Sequence, residues 1–330
     1  MREDKLSFAI IIRVLFSLLP ILFGMPTVAT IVCAYNIAMT FLAVGPLATT
    51  VSSLFAVAGA MFICSTVGVG GEVTGLVIGI QAVLAAVGCI IGLFKKRDFY
   101  KGLFLATGGI LLPQIIYENS VAHSNGMRLA DMLVPSIEDF NSIVAQTFET
   151  FPAEFISAAE QVGVTVEMVS QLSRNLMIMI IPSVIIVSSL AVAYILMWAV
   201  ASPLRRMTNN QKIHSFSRIK IPCGFTIVSI LATIYLLFFA NSANSMVVTI
   251  LLNMLIVISA IALLAGVSFA DYYFRKALPF ALPRIIIHVL VIINFFPAYI
   301  LAAMIDSFAN FRKLSTKTDE TGGGDYETKK

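Results

Sequence analysis

Residues Val73 to Phe94 read VTGLVIGIQAVLAAVGCIIGLF, 22 positions without one acidic or basic side chain. A helix needs about 20 mostly apolar residues to cross the hydrocarbon of a bilayer, and this run meets that length. Comparable runs lie before it near 6–23, 27–44 and 48–66, and after it near 100–117, 175–201, 222–240, 246–269 and 284–305. The expected fold is therefore all-α, a polytopic transmembrane helical bundle of about nine spans. Composition agrees. Hydrophobic residues make up 58% of the 330 and charged ones only 12%, against roughly 25% in a soluble chain, so a bilayer must solvate surface that no aqueous core could hide.

The breaks between early runs are short: Gly24-Met25-Pro26, Gly45-Pro46 and Gly68 to Gly71. Such tight turns make successive helices antiparallel neighbours. After Glu118 the character changes. Residues 119–173 carry Asp131, Glu138, Asp139, Glu149, Glu154, Glu160 and Glu167 against Arg128 alone, and Ile137, Phe140, Ile143, Val144, Phe148 and Phe151 recur at helical steps of three and four. The expected organisation is a five-span unit at 1–118, an amphipathic helical segment at 119–173, a membrane unit of about four spans at 174–314 and a disordered tail at 315–330.

Basic residues set the orientation. Lys95, Lys96, Arg97 and Lys101 follow the fourth run, and Arg205, Arg206, Lys212, Arg218 and Lys220 follow the sixth, which places both stretches in the cytoplasm of a cell-membrane protein. The N-terminus, an uncleaved first span by this reading, then also begins inside, and 119–173 is extracytoplasmic. One conflict follows, because nine crossings put the tail outside although it holds Arg312, Lys313, Lys317, Lys329 and Lys330. Pro283 and Pro297 leave open a second reading of 281–306 as a broken or hairpinned segment.

Polar groups in the runs ask for a reason to be there. Glu72, in the glycine-rich turn Gly68 to Gly75, is the preferred substrate-binding candidate, with Glu118, Asn119 and Asn36 beside it; outward carboxylates suit a cation-attracting or amine-binding mouth. Arg13, Arg284, His288 and Asp306 are the other intramembrane charged or polar positions. Arg13 can snorkel to headgroups, and His288 could relay protons. Asn36, Asn253 and Asn294 read equally as interhelical hydrogen-bonding groups. Cys33, Cys64, Cys89 and Cys223 each sit alone in apolar sequence and read as small buried residues, not as metal ligands or a disulfide. No phosphate loop, HExxH, nucleophile elbow or dinucleotide fingerprint occurs, so no enzyme, cofactor or nucleic-acid function is expected.

Gly266-Val267-Ser268, then Ile305-Asp306-Ser307-Phe308 and Phe311-Arg312-Lys313-Leu314, with a Pro-Leu-basic turn at 203–206 and Arg-Ile-Lys-Ile-Pro at 218–222, resemble the YybS-like family of bacterial membrane proteins over nearly the whole chain. The N-terminal helices of that family are similar to the S-components of energy-coupling-factor transporters, which implies a substrate-binding role. The AxxxA spacing by which S-components dock is absent from Phe8 to Pro20 and occurs later, at Ala34 to Ala38 and Ala56 to Ala60. Two functions are expected to compete: a solute-binding or transport-related protein with an outward cavity in the N-terminal helices, and a non-transporting scaffold or regulator that holds a membrane-protein partner. The expected surroundings are the lipid bilayer and a small-molecule ligand.

Overall fold

The computed structural model describes residues 9, 12–68, 70–95, 99–151, 161, 163–208, 219–239, 244–278 and 280–312. Lys313, the tail 315–330, Glu154, Glu160, Lys96, Arg97 and most of the basic stretch after Thr208 lie outside the described residues. Those described form helices only. In chain order they are α1 (Ile12–Phe23), α2 (Pro26–Ala43), α3 (Pro46–Val67), α4 (Gly71–Cys89), α5 (Phe99–Ser124), α6 (Leu129–Leu133), α7 (Ile137–Glu149), α8 (Val166–Thr208), α9 (Cys223–Phe239), α10 (Ser245–Ala277) and α11 (Ala281–Ala309).

Among the described residues seven helices are long and apolar enough to cross a membrane: α2, α3, α4, α5, α8, α10 and α11. The apolar α1 and α9 fall short of that length, so the described residues hold seven helices of spanning length where nine spans were expected. The chain forms two compact units, residues 1–214 with 235–257 and residues 215–234 with 258–330.

In the first unit α4 is the central helix. Of its apolar window 61% is buried, against 28% for α3 and 39% for α5. Small residues make this possible. A side chain on Gly75 would collide with the backbone of Ala60 and Met61 on α3, and one on Gly88 with the backbone of Leu105 and Ala106 on α5. Lipid tails are as apolar as leucine, so helices in a bilayer gain by close van der Waals packing, which glycine permits. The turn into α4 is built of glycine for another reason: Gly68, Gly70 and Gly71 all take positive φ, near 70°, where a side chain is strained.

Prolines interrupt several of the long helices, and at Pro182 a polar side chain bridges the break. Pro113 sits inside α5, where the nearby Ile110 carbonyl accepts 2.9 Å from Gln81 Nε2 of α4. Pro182 sits inside α8. There the Ser183 amide donates to Asn253 Oδ1 at 2.8 Å, while Asn253 Nδ2 donates to the Met179 carbonyl at 2.6 Å. Residues 179 and 183 are the pair that an uninterrupted helix joins directly, so the Asn253 side chain bridges an opened rung of the ladder. This is the interhelical role expected of Asn253; Asn294 instead donates to Leu290 within its own helix.

α5 runs on past Glu118 to Ser124, into the segment expected to be separate from it, and the helix expected after Pro135 follows as α7. Ser136 and Asp139 form a reciprocal capping box at the start of α7, whose Phe140 and Val144 are buried where it packs on α8. Asp131 of the short α6 also reaches α8, pairing with Arg174 at 3.0 Å.

In the second unit α11 is not a straight crossing. Phe295 leaves helical geometry at φ −152° and ψ 41°, just before Pro297, whose ring excludes a regular preceding turn. His288 Nδ1 lies 2.8 Å from the Tyr299 hydroxyl. Eleven residues of straight helix would hold those Cα atoms about 16 Å apart, further than the two side chains can reach. At the first end of α11, Arg284 meets Asp271 of α10; past the second, Arg312 meets Ser268 of α10 and the Ile219 carbonyl, and Ser307 meets Thr226 in the first turn of α9. Both ends thus lie where α9 begins and α10 finishes. The segment is a broken hairpin with legs 281–294 and 296–309, each about 21 Å long, short of the roughly 30 Å hydrocarbon core.

Candidate functional site

A cavity of about 280 Å³ opens within the first unit. Four helices build it. The start of α2 gives Pro26, Thr27 and Thr30; the first half of α4 gives Thr74, Val77, Ile78 and Gln81; α5 adds Ile110, Gln114, Tyr117 and Glu118; and α8 adds Ser188, Ser189 and Val192. The helical period explains the selection: Thr74, Val77, Ile78 and Gln81 are one face of α4, and Ile110, Gln114, Tyr117 and Glu118 one face of α5.

Most polar groups on this wall are already engaged. Thr30 donates to the Pro26 carbonyl, Ser188 to Ile185, and Gln81 Nε2 to Ile110. Thr74 donates to the Gly70 carbonyl or shares a proton with the Tyr117 hydroxyl, 2.8 Å from each. Gln114 Nε2 donates 2.9 Å to Glu118 Oε1. Two buried atoms remain without a partner: the second carboxylate oxygen of Glu118, Oε2, and the hydroxyl of Ser189, which is 2% exposed. Among the described residues no lysine, arginine or histidine lines the cavity. An unpaired buried oxygen is costly, and such positions call for a ligand, an ion or water.

Of the substrate-binding candidates named from sequence, Glu118 is in the cavity wall. Glu72 is exposed on the first turn of α4, Asn119 is exposed on α5 on the side away from the cavity face, and Asn36 is half-buried in mid-α2, its carbonyl accepting from Thr40. None of the three is among the lining residues. Sequence reading missed Gln81, Gln114, Tyr117 and Ser189. Gln114 and Glu118 carried a signal, since their spacing of four puts them on one helical face; Ser189 carried none, because hydroxyls are common in membrane helices.

The remaining candidates gather in the second unit as two polar clusters. Arg13 stands apart, exposed on α1 of the first unit. In one cluster Asp271, absent from the sequence-based candidates, accepts from Arg275 at 2.7 Å and from Arg284 at 3.0 Å, and lies 3.9 Å from His288 Nε2. Phe274 stacks beside His288, whose Nε2 has no hydrogen-bond partner. In the other, Asp306 and Arg312 form an ion pair at 2.8 Å with both side chains 1% exposed. Arg312 also donates to Ser268 and the Ile219 carbonyl and faces the Phe269 ring. Gly266 belongs to the same packing, since the Tyr299 backbone fills the space its side chain would need. Four residues of the motif that prompted the family resemblance, Gly266, Ser268, Asp306 and Arg312, are thus joined in the core of one unit, while Phe311 is exposed. No group of three or more metal-ligating side chains occurs among the described residues.

No curated protein and no solved structure matches the chain. A family model described as a predicted membrane protein (DUF2232) matches residues 7–307, nearly the whole length, in accord with the apolar helices. The chain belongs to the DUF2232 family of predicted membrane proteins.

Proposed function

We propose that this protein binds a small solute in the α2–α4–α5–α8 cavity and serves solute uptake or transport across the cell membrane. One observation carries the reading: a cavity between membrane helices whose wall holds two buried, unpartnered polar atoms, Glu118 Oε2 and Ser189 Oγ. Pockets of this kind, mostly apolar with a few convergent polar groups, are where ligands bind.

Orientation supports it. With the basic stretches at 95–101 and 203–220 inside, the acidic 119–173 segment is outside, and the cavity residues of α2, α4 and α5 lie in the outer halves of their helices. The hairpin of α11 brings Arg312 back to the end of α10 that holds Ser268, which accords with a cytoplasmic position for the basic residues that follow. The likeness of the N-terminal helices to S-components of energy-coupling-factor transporters points to the same role.

The test is retention of a small molecule. Protein released gently into lipid nanodiscs should carry a co-purified solute detectable by native mass spectrometry, and Ser189→Leu, which fills the cavity, should carry none. A wild-type protein that retains nothing and is stabilised by no member of a small-solute library would end this reading.

A further inference from the structure

We infer that the solute is a small organic cation, an amine carried as its ammonium, held by the Glu118 carboxylate. The inference rests on the solute-binding reading above and adds the charge class.

Three features select it. The cavity wall carries one acid and no base. An anion would meet uncompensated negative charge, whereas a neutral solute would leave the carboxylate without an opposite charge. Of the two unpartnered buried atoms on the wall, Ser189 Oγ can donate or accept, whereas Glu118 Oε2 can only accept as a carboxylate. An ammonium offers donors alone, so it complements that oxygen, and charge-assisted bonds of this type are the strong ones. Finally, the terminal torsion of a glutamate is soft, so Oε2 can turn toward a guest without breaking the α5 helix.

Size and shape narrow the class. At about 280 Å³ the cavity is at the lower limit of ligand sites, which run from roughly 300 to 1,000 Å³. Val77, Ile78 and Val192 give an apolar wall suited to a short alkyl chain. A monoamine of a few carbons fits both demands; a nucleotide is too large, and a sugar phosphate or a dicarboxylate brings negative charge to a wall that already carries Glu118.

The experiment uses three probes of similar size and different charge, n-butylammonium, 1-butanol and butyrate, added to the full-length protein in nanodiscs at neutral pH and followed by thermal melting and calorimetry. Butylammonium should raise the melting temperature, and butanol and butyrate should not. Glu118→Gln keeps an oxygen that can accept from Gln114 and should weaken butylammonium binding by roughly tenfold or more. Should that variant fold poorly, Thr27→Lys tests the same point at an exposed lining position, since a tethered ammonium should displace the free one. Equal butylammonium affinity in wild type, Glu118→Gln and Thr27→Lys overturns the cation assignment. Binding of butanol or butyrate that Ser189→Leu abolishes overturns the charge class and leaves the solute reading standing. No response to any probe, with no co-purified solute, overturns both.

Discussion

Asn253 Oδ1 lies 2.8 Å from the amide nitrogen of Ser183, one turn-breaking proline away from a regular helix. The contact couples α8 to α10 inside the first unit, in a medium that offers no water to satisfy an opened carbonyl or amide. Asn253→Leu should therefore destabilise the protein by about 1–3 kcal/mol, the cost of leaving buried partners unpaired. A melting temperature in detergent equal to that of wild type would show that the bridge contributes nothing.

Glycine contacts on α4 and α5 divide into two kinds, which makes a matched comparison available. Gly75→Ala drives a methyl into the α3 backbone and should cost about 1–3 kcal/mol by overpacking. Gly108→Ala meets nothing within 4 Å and should be neutral or slightly stabilising, because alanine is the better helix former. Equal melting temperatures for the two variants would contradict the close approach of α3 and α4.

The Asp306–Arg312 pair is shielded from solvent on both sides, so its loss should be asymmetric. Arg312→Met leaves a buried carboxylate alone and should cost about 3–5 kcal/mol; Asp306→Leu combined with Arg312→Met should recover much of that loss. Denaturant unfolding of the single and double variants measures the difference. Additive losses would mean that the two residues act independently.

The hairpin makes a prediction about sidedness. Leu282 and Phe311 are exposed near the two ends of α11. In a protein stripped of Cys33, Cys64, Cys89 and Cys223, the variants Leu282→Cys and Phe311→Cys should react with a membrane-impermeant maleimide from the same side of sealed vesicles. Reaction from opposite sides is the signature of a simple crossing.

Much of this architecture could be read from hydropathy and charge, because crossing lipid demands a length of apolar chain that leaves a plain trace. Val73 to Phe94 became α4 extended by the π-helical turn Ile90–Lys95, and the periodicity after Pro135 became α7. Glu118 was legible as a site because a carboxylate near hydrocarbon needs a reason. Gln81 and Ser189 were not, since they share a cavity with Glu118 only through the packing of α4, α5 and α8. The course of α11 was hidden for a different reason: an apolar run records depth but not direction, and the two prolines mark a break without saying which way the chain leaves it. Glu72 shows the converse. Its glycines serve the tight turn between α3 and α4, and its side chain is not among those that line the cavity described above.

A helix that bends back at Phe295 also changes what the surrounding lipid experiences. Each leg of about 21 Å is more than half of a roughly 30 Å hydrocarbon core but less than the whole of it, so a hairpin entering from one side displaces lipid unevenly between the two monolayers. Acyl chains facing the tip, where Phe295 and Phe296 are exposed, must fill the remaining depth, which ties the conformation of this segment to the thickness and curvature of the bilayer around it.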